Sequence, residues 1–386
     1  MHAAVPCRST SSTSSCKCIA VPTNSSLSRR RFGGLVASAA GAAFAAVSLP
    51  ATAATRRRPP SQGNNAMTKP QLTKPPRLEP GDLVGIIAPG GHTSPKSIEK
   101  AVRNIESLGL RVKLGEHINA VHGNYGGTVE QRLEDLHGMF ADPQVNAIWA
   151  IRGGSGCISL LPHIDYQLIR ANPKVLIGYS DITALHLAIN KHAGLVTFHG
   201  PVASSTFSEY AVTQLKNVLM TPHQRYTISM SQDNAHKAVA EPQYTVRTVH
   251  GGQCTGHLTG GNMCLVTALE GTPYAADIKG SILFLEEVNE APYRIDRMLM
   301  QLQLSQGLKN TAGVMLGIFE NCENQDDDIS LTLNETVDQH LLPLEQTAVA
   351  GYSFGHIRHQ FTIPMGVRAT LDAEQQTLTL LEPAVS

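Results

Sequence analysis

Three residues in this chain are of the types that together make an acyl-transfer centre. Ser180 lies in "KVLIGYSDITALHLAI", residues 174–189, where a short apolar run ends at Gly178, turns, and gives way to helical spacing. A strand that turns sharply at one residue and feeds a helix presents that side chain at the rim of a sheet. The amides that follow then point toward any anion formed beside it. Serine at this place equally suits the cap of a helix starting at Asp181. A hydroxyl becomes a good nucleophile only when a base takes its proton, and the base needs a third group to fix its tautomer and support its charge. Candidates for both stand at loop ends further along. Glu286 closes the alternating run in "SILFLEEVNE", with Glu287 and Glu290 behind it, and His356 follows a glycine turn in "GYSFGHIRHQFTIPMG". One histidine among 16, or one glutamate after a strand, is ordinarily a solvated or satisfied group, so the three carry weight only as a set.

The elements around them predict an α/β fold. "DLVGIIAPGG" reads as a strand stopped by a Pro-Gly-Gly turn, and "SPKSIEKAVRNIESLGL" as a helix with a Ser-Pro start. "RVKLG" is a strand, "TVEQRLEDLHGMFAD" a helix, "VNAIWAIRGGSG" a strand entering a glycine loop, and "KVLIGYS" another strand. Strands alternating with helices imply a parallel sheet with right-handed crossovers, whose functional groups gather at strand C-terminal ends. Both "RGGSG" and "GYSD" occupy such ends. Alternation is lost across residues 206–245, read as a connector, and a second α/β unit begins near 246 and runs to 386.

Composition narrows the partners. Over 386 residues, 31 basic side chains balance 31 acidic ones, which leaves no global field for nucleic acid or an anionic membrane. Residues 1–54 hold a basic cluster, an Ala-rich apolar segment and "ATA" at 51–53, which is suited to cleavage. Arg29 and Arg30 with Phe32 resemble a twin-arginine export signal, predicting a periplasmic protein with no membrane anchor after processing. The apolar run is short for a transmembrane helix, and a start at Met67 would instead leave the protein cytoplasmic. Residues 55–78 are Pro-rich and polar and read as a disordered linker. Cys157, Cys254, Cys264 and Cys322 show no C-x-x-C spacing and no disulfide framework, although Cys254 and Cys264 could bridge in an oxidising compartment.

"AIRGGSG", "LIGYSDITALH", "FHGP", "LTGGN", "LFLEEVNEAPYRIDRML" and "FGHIRHQFTIPMGVRATLD" follow one another in the order and approximate spacing of the LD-carboxypeptidases. These are serine peptidases that trim murein peptides and are related to the microcin-immunity peptidases. The resemblance covers about residues 79–383. It implies a flavodoxin-like parallel-sheet domain over residues 79–205, carrying the nucleophile, and a smaller swivelling-type α/β domain over 246–386. The implied roles are Ser180 as nucleophile, Glu286 as triad carboxylate and His356 as general base. The implied oxyanion donors are the amides of Asp181 and of the glycine loop, Gly154 ahead of Gly153. No metal or cofactor is implied, the substrate is a muropeptide cut before its terminal D-alanine, and family members often form homodimers.

Substrate-binding candidates, chosen by their place in the motifs, are Arg152, Tyr179 and His199, with Arg152 foremost because a guanidinium matches a carboxylate bidentately. Two positions depart from the family pattern. Ser155 stands where an aromatic is usual, and Glu287 where an aspartate is usual. Three other readings compete. A relative acting on peptidyl-nucleotides would share the triad. A metal hydrolase would use His356 and His359, yet H-x-x-H on a glycine-flanked turn lacks the i, i+4 geometry of a helical pair. A periplasmic binding protein would have no use for an aligned serine, glutamate and histidine.

Overall fold

The run Leu83–Ile87 is apolar on both faces, as a strand covered by helices on both sides must be. It forms β1 in the computed structural model, which describes residues 72–324 and 329–386. Helix α1 (Pro95–Glu106) starts as its sequence dictates, with Ser94 accepting from the Ser97 amide and Pro95 in the first turn. After β2 (Arg111–Leu114) comes α2 (Val129–Ala141), opened by a capping box between Thr128 and Gln131. Then follow β3 (Val145–Ala150), α3 (Tyr166–Ala171), β4 (Val175–Gly178), α4 (Thr183–His192) and β5 (Phe198–His199). The five strands are parallel in the order β2-β1-β3-β4-β5, the flavodoxin-like arrangement in which the chain reverses direction between β1 and β3.

The stretch read as a connector is more ordered than its pattern. It holds α5 (Glu209–Leu219), β6 (Tyr226–Ser229) and α6 (Gln232–Lys237). Next come β7 (Arg247–His250), β8 (Gln253–Asn262), α7 (Met263–Ala268), β9 (Ser281–Glu286), α8 (Pro292–Ser305), β10 (Gly313–Gly317), α9 (Leu333–Leu341) and β11 (Thr347–Tyr352). The chain closes with β12 (Ile363–Pro364), β13 (Arg368–Asp372) and β14 (Thr377–Leu380). The second sheet is the wider of the two, ordered β6-β14-β13-β8-β9-β10-β11-β7. Its centre, β8 to β11, is parallel, and its flanks are antiparallel. The protein is thus a two-domain α/β fold, with one sheet parallel over its five chain-ordered strands and one mixed.

The two sheets are joined by exchanged chain. Strand β12 leaves the C-terminal part to pair antiparallel with β5, placing Ile363 opposite His199. At the facing junction Asn262 N donates to Thr183 Oγ1 at 3.0 Å, and Gly261 permits that approach, since a methyl there would lie 2.6 Å from the threonine side chain. Residues 72–78, at the end of the segment read as linker, are docked. Thr73 N donates to the Gly194 carbonyl, Lys74 pairs with Glu382, and Leu78 is buried. The presumed export segment and residues 55–71 lie outside the described residues.

Candidate active site

Strand β4 is buried along its whole length and ends at Gly178, where a side chain would strike Ile182. Tyr179 is extended and Ser180 then takes φ 64°, left-handed backbone that L-residues other than glycine rarely adopt. Such a conformation costs on the order of 1–3 kcal/mol and persists only where the surroundings impose it. Here they do. Gly153, in the loop after β3, lies against Ser180, and the carboxylate of Asp181 accepts the Cys157 amide at 2.9 Å, tying that loop to the elbow. The Gly153 carbonyl accepts from Gly91 N at 2.9 Å. Because a trans peptide sets C=O and N–H on opposite sides, the Gly154 N–H points away from Gly91.

The second sheet supplies a histidine and a carboxylate. Glu286 ends β9 fully buried, and the turn after β11 brings His356 to it, with His356 Nδ1 2.7 Å from Glu286 Oε2. Burial alone would depress the imidazole pKa, but the charge and hydrogen bond of Glu286, helped by Glu287 and Glu320, outweigh it and hold His356 above its ordinary value. For Glu286, burial would raise the pKa, yet the facing His356 wins and holds the carboxyl below its usual range. The His356 ring packs edge-on against Tyr179, centroids 4.8 Å apart, which sets it beside the elbow. No hydrogen bond joins Ser180 to His356 among the described residues. A loose contact between nucleophile and base is common before substrate binds.

The remaining candidates fall in different places. Tyr179 is at the elbow, with burial pushing its phenol up to about 12. Arg152 is exposed, and its Nη1 donates to the His92 carbonyl at 3.1 Å, so it also clamps the loops after β1 and β3 to each other. Ser155 accepts a hydrogen bond from Asn124. His199 is not at the surface. It is fully buried among Tyr179, Phe284 and Phe354, and a residue so enclosed does not touch substrate in the way its motif position led one to expect. His359 pairs with Asp233 instead of standing with His356. All four described cysteines are free. A cavity of about 550 Å³ lies elsewhere, lined among others by Lys74, Lys191, His257 and Arg368, and none of Ser180, Glu286 or His356 borders it.

Residues 84–200 match the model of the LD-carboxypeptidase N-terminal domain, and residues 255–371 that of the LD-carboxypeptidase C-terminal domain. Over 318 residues the chain is 36% identical to the probable murein peptide carboxypeptidase of Bacillus subtilis, spanning 81% of this chain and 95% of that one. The chain belongs to the LD-carboxypeptidase family. Among other LD-carboxypeptidase relatives, the murein tetrapeptide carboxypeptidase of Pseudomonas aeruginosa is 32% identical over 76% of this chain and 94% of its own. The solved muramoyltetrapeptide carboxypeptidase of Oxalobacter formigenes superposes with a TM-score of 0.67 at 29% identity, covering 77% and 97% of the two chains. An MccF-like protein from Bacillus anthracis gives 0.71 at 30% identity, covering 80% and 99%. The microcin C7 self-immunity protein MccF of Escherichia coli is 26% identical over 82% of this chain and 97% of its own.

Two contributors to this candidate site were not among the residues singled out in the sequence. The Gly90-Gly91 turn buttresses the glycine loop, and its signal was present as a glycine pair ending the first strand at the sheet's switch point. Asn262 was legible only as part of "LTGGN". Its Nδ2 donates to Glu287 Oε1 at 2.9 Å while its backbone N–H holds Thr183, a pairing across domains that no local pattern encodes.

Proposed function

We propose that the protein is a serine LD-carboxypeptidase that removes the terminal D-alanine of murein tetrapeptides through Ser180, His356 and Glu286. The observation that carries this reading is the meeting of a left-handed serine elbow with a 2.7 Å His356–Glu286 pair whose imidazole packs on the residue before that serine. His356 Nε2 takes the Ser180 proton as Oγ attacks the carbonyl of the diamino acid, and the amides of Asp181 and Gly154 receive the oxyanion. The proton then passes from His356 to the departing D-alanine amine, leaving an acyl-enzyme on Ser180. Water activated by the same imidazole releases the tripeptide and restores the serine. Arg152 offers a guanidinium for the D-alanine carboxylate.

The relatives named for murein peptides favour this substrate over a peptidyl-nucleotide. The leader at residues 1–54 fits delivery to the periplasm, where such peptides occur. The test is mass spectrometry of a disaccharide-tetrapeptide after incubation with the protein lacking its leader, beside Ser180→Ala and a pentapeptide ending in D-Ala-D-Ala. Loss of one alanine from the tetrapeptide alone, only with Ser180 present, is the expected result. Turnover that survives Ser180→Ala rejects the serine mechanism, and equal trimming of the pentapeptide rejects the L,D assignment.

A further inference from the structure

His199 is fully buried, and among the described residues neither of its ring nitrogens has a hydrogen-bond partner. The same is true of Glu286 Oε1, while Oε2 is taken by His356. These orphans share one neighbourhood. The His199 ring packs 5.4 Å from Phe284, which precedes Glu286 by two on β9, and residues two apart on a strand project from the same face. It also lies 6.4 Å from Phe354, two residues before His356, and 6.1 Å from Tyr179. Both Glu286 and His356 act electrostatically on it.

Two buried groups left without partners are costly, and the N–H of one satisfies the oxygen of the other. Asn262 also acts on the Glu286 carboxylate, but one N–H of its Nδ2 is bonded to Glu287 Oε1, its Oδ1 caps α7, and among the described residues the other N–H makes no hydrogen bond to Glu286 Oε1. Burial holds His199 down at about 4, so at neutral pH it offers one N–H and no charge to compete with His356 for the carboxylate.

We propose that His199 is a positioning residue. Its neutral imidazole donates to Glu286 Oε1, by a small ring rotation or through one bound water, and fixes the carboxylate orientation that aims His356. This rests on the proposed roles of Glu286 and His356.

The experiment compares His199→Phe, His199→Leu and His199→Gln with wild type and Ser180→Ala. It measures kcat and KM on the disaccharide-tetrapeptide, thermal melting, and the low-field proton resonance of the His356–Glu286 hydrogen bond. Whichever apolar variant folds should lose kcat by about 10- to 100-fold, by analogy with the loss when the hydrogen-bond partner of a metal-ligating side chain is removed. KM should stay put and the low-field resonance should broaden or vanish. His199→Gln, which keeps a donor, should recover most of kcat. Wild-type kcat in an apolar variant overturns the proposal, and so does equal impairment of the glutamine and apolar variants. Activity in Ser180→Ala would instead defeat the triad reading itself, whatever the His199 variants do.

Discussion

Gly153 and Ser180 meet so closely that no side chain fits between them. A methyl on Gly153 would lie 2.6 Å from Ser180 Cβ and 2.8 Å from its Oγ. Ser180 Cβ is fixed by a backbone held at φ 64° between buried β4 and the turn into α4, so only rotation of the hydroxyl or a shift of the glycine loop can make room. Gly153→Ala must therefore displace the hydroxyl or the glycine loop beside it. Because misplacement by about 1 Å can cost roughly 100-fold, kcat/KM should fall by at least that much with only a small drop in melting temperature. An alanine variant within a few-fold of wild type would show that the elbow is not where acylation happens.

The raised pKa of His356 gives activity a defined acid limb. A base must be unprotonated, so kcat/KM should decline as pH falls through a value above the ordinary 6.5 of histidine. Glu286→Gln keeps a hydrogen-bonding atom but removes the charge that outweighs burial, so the limb should move to lower pH. Its kcat should drop by about 100- to 10,000-fold through loss of tautomer control and charge support. A pH–rate profile of both proteins checks this, and an unmoved limb would separate the titrating group from Glu286.

Much of this was legible from residue order alone, for physical reasons. In the first domain, glycines close β3 and β4 locally, and capping residues such as Ser94 and Thr128 mark helix starts, so its order and the place of Ser180 follow from short-range pattern. His199 was misjudged because "FHGP" says where the residue sits in the chain and not which side of β5 it faces. Its ring is enclosed by Phe284 and Phe354, which arrive from far along the chain, while Ile363 of β12 closes the backbone edge beside it. The contacts of Asn262 with Thr183 and Glu287 are likewise long-range.

Arg152 divides two tasks, clamping the His92 carbonyl and offering charge at the loop rim. If it binds the D-alanine carboxylate, Arg152→Lys should raise KM by about 10-fold while kcat changes little, since a lysine keeps the charge but loses the planar fork. Steady-state kinetics decide it. A fall in kcat at constant KM would assign the residue to loop geometry.

Glu287 carries the clearest prediction for stability. It is buried beside Glu286, and desolvation first, then that neighbouring charge, pushes its pKa from 4.5 up to about 7 despite donors from Asn262, Cys264 and Val288. Between those two values the folded protein binds more protons than the unfolded chain, so stability falls as pH rises through the window and stays reduced above it. At about 1.4 kcal/mol per unit, the full effect is roughly 3 kcal/mol. Glu287→Gln removes the titration but sets an NH₂ against one of the donors that the carboxylate now satisfies. The variant should thus be no more stable than wild type near pH 5, and more stable near pH 8.5. Denaturant unfolding at the two pH values checks the crossing. Parallel losses at both would mean that Glu287 is ionised throughout, held by its three donors against the charge of Glu286.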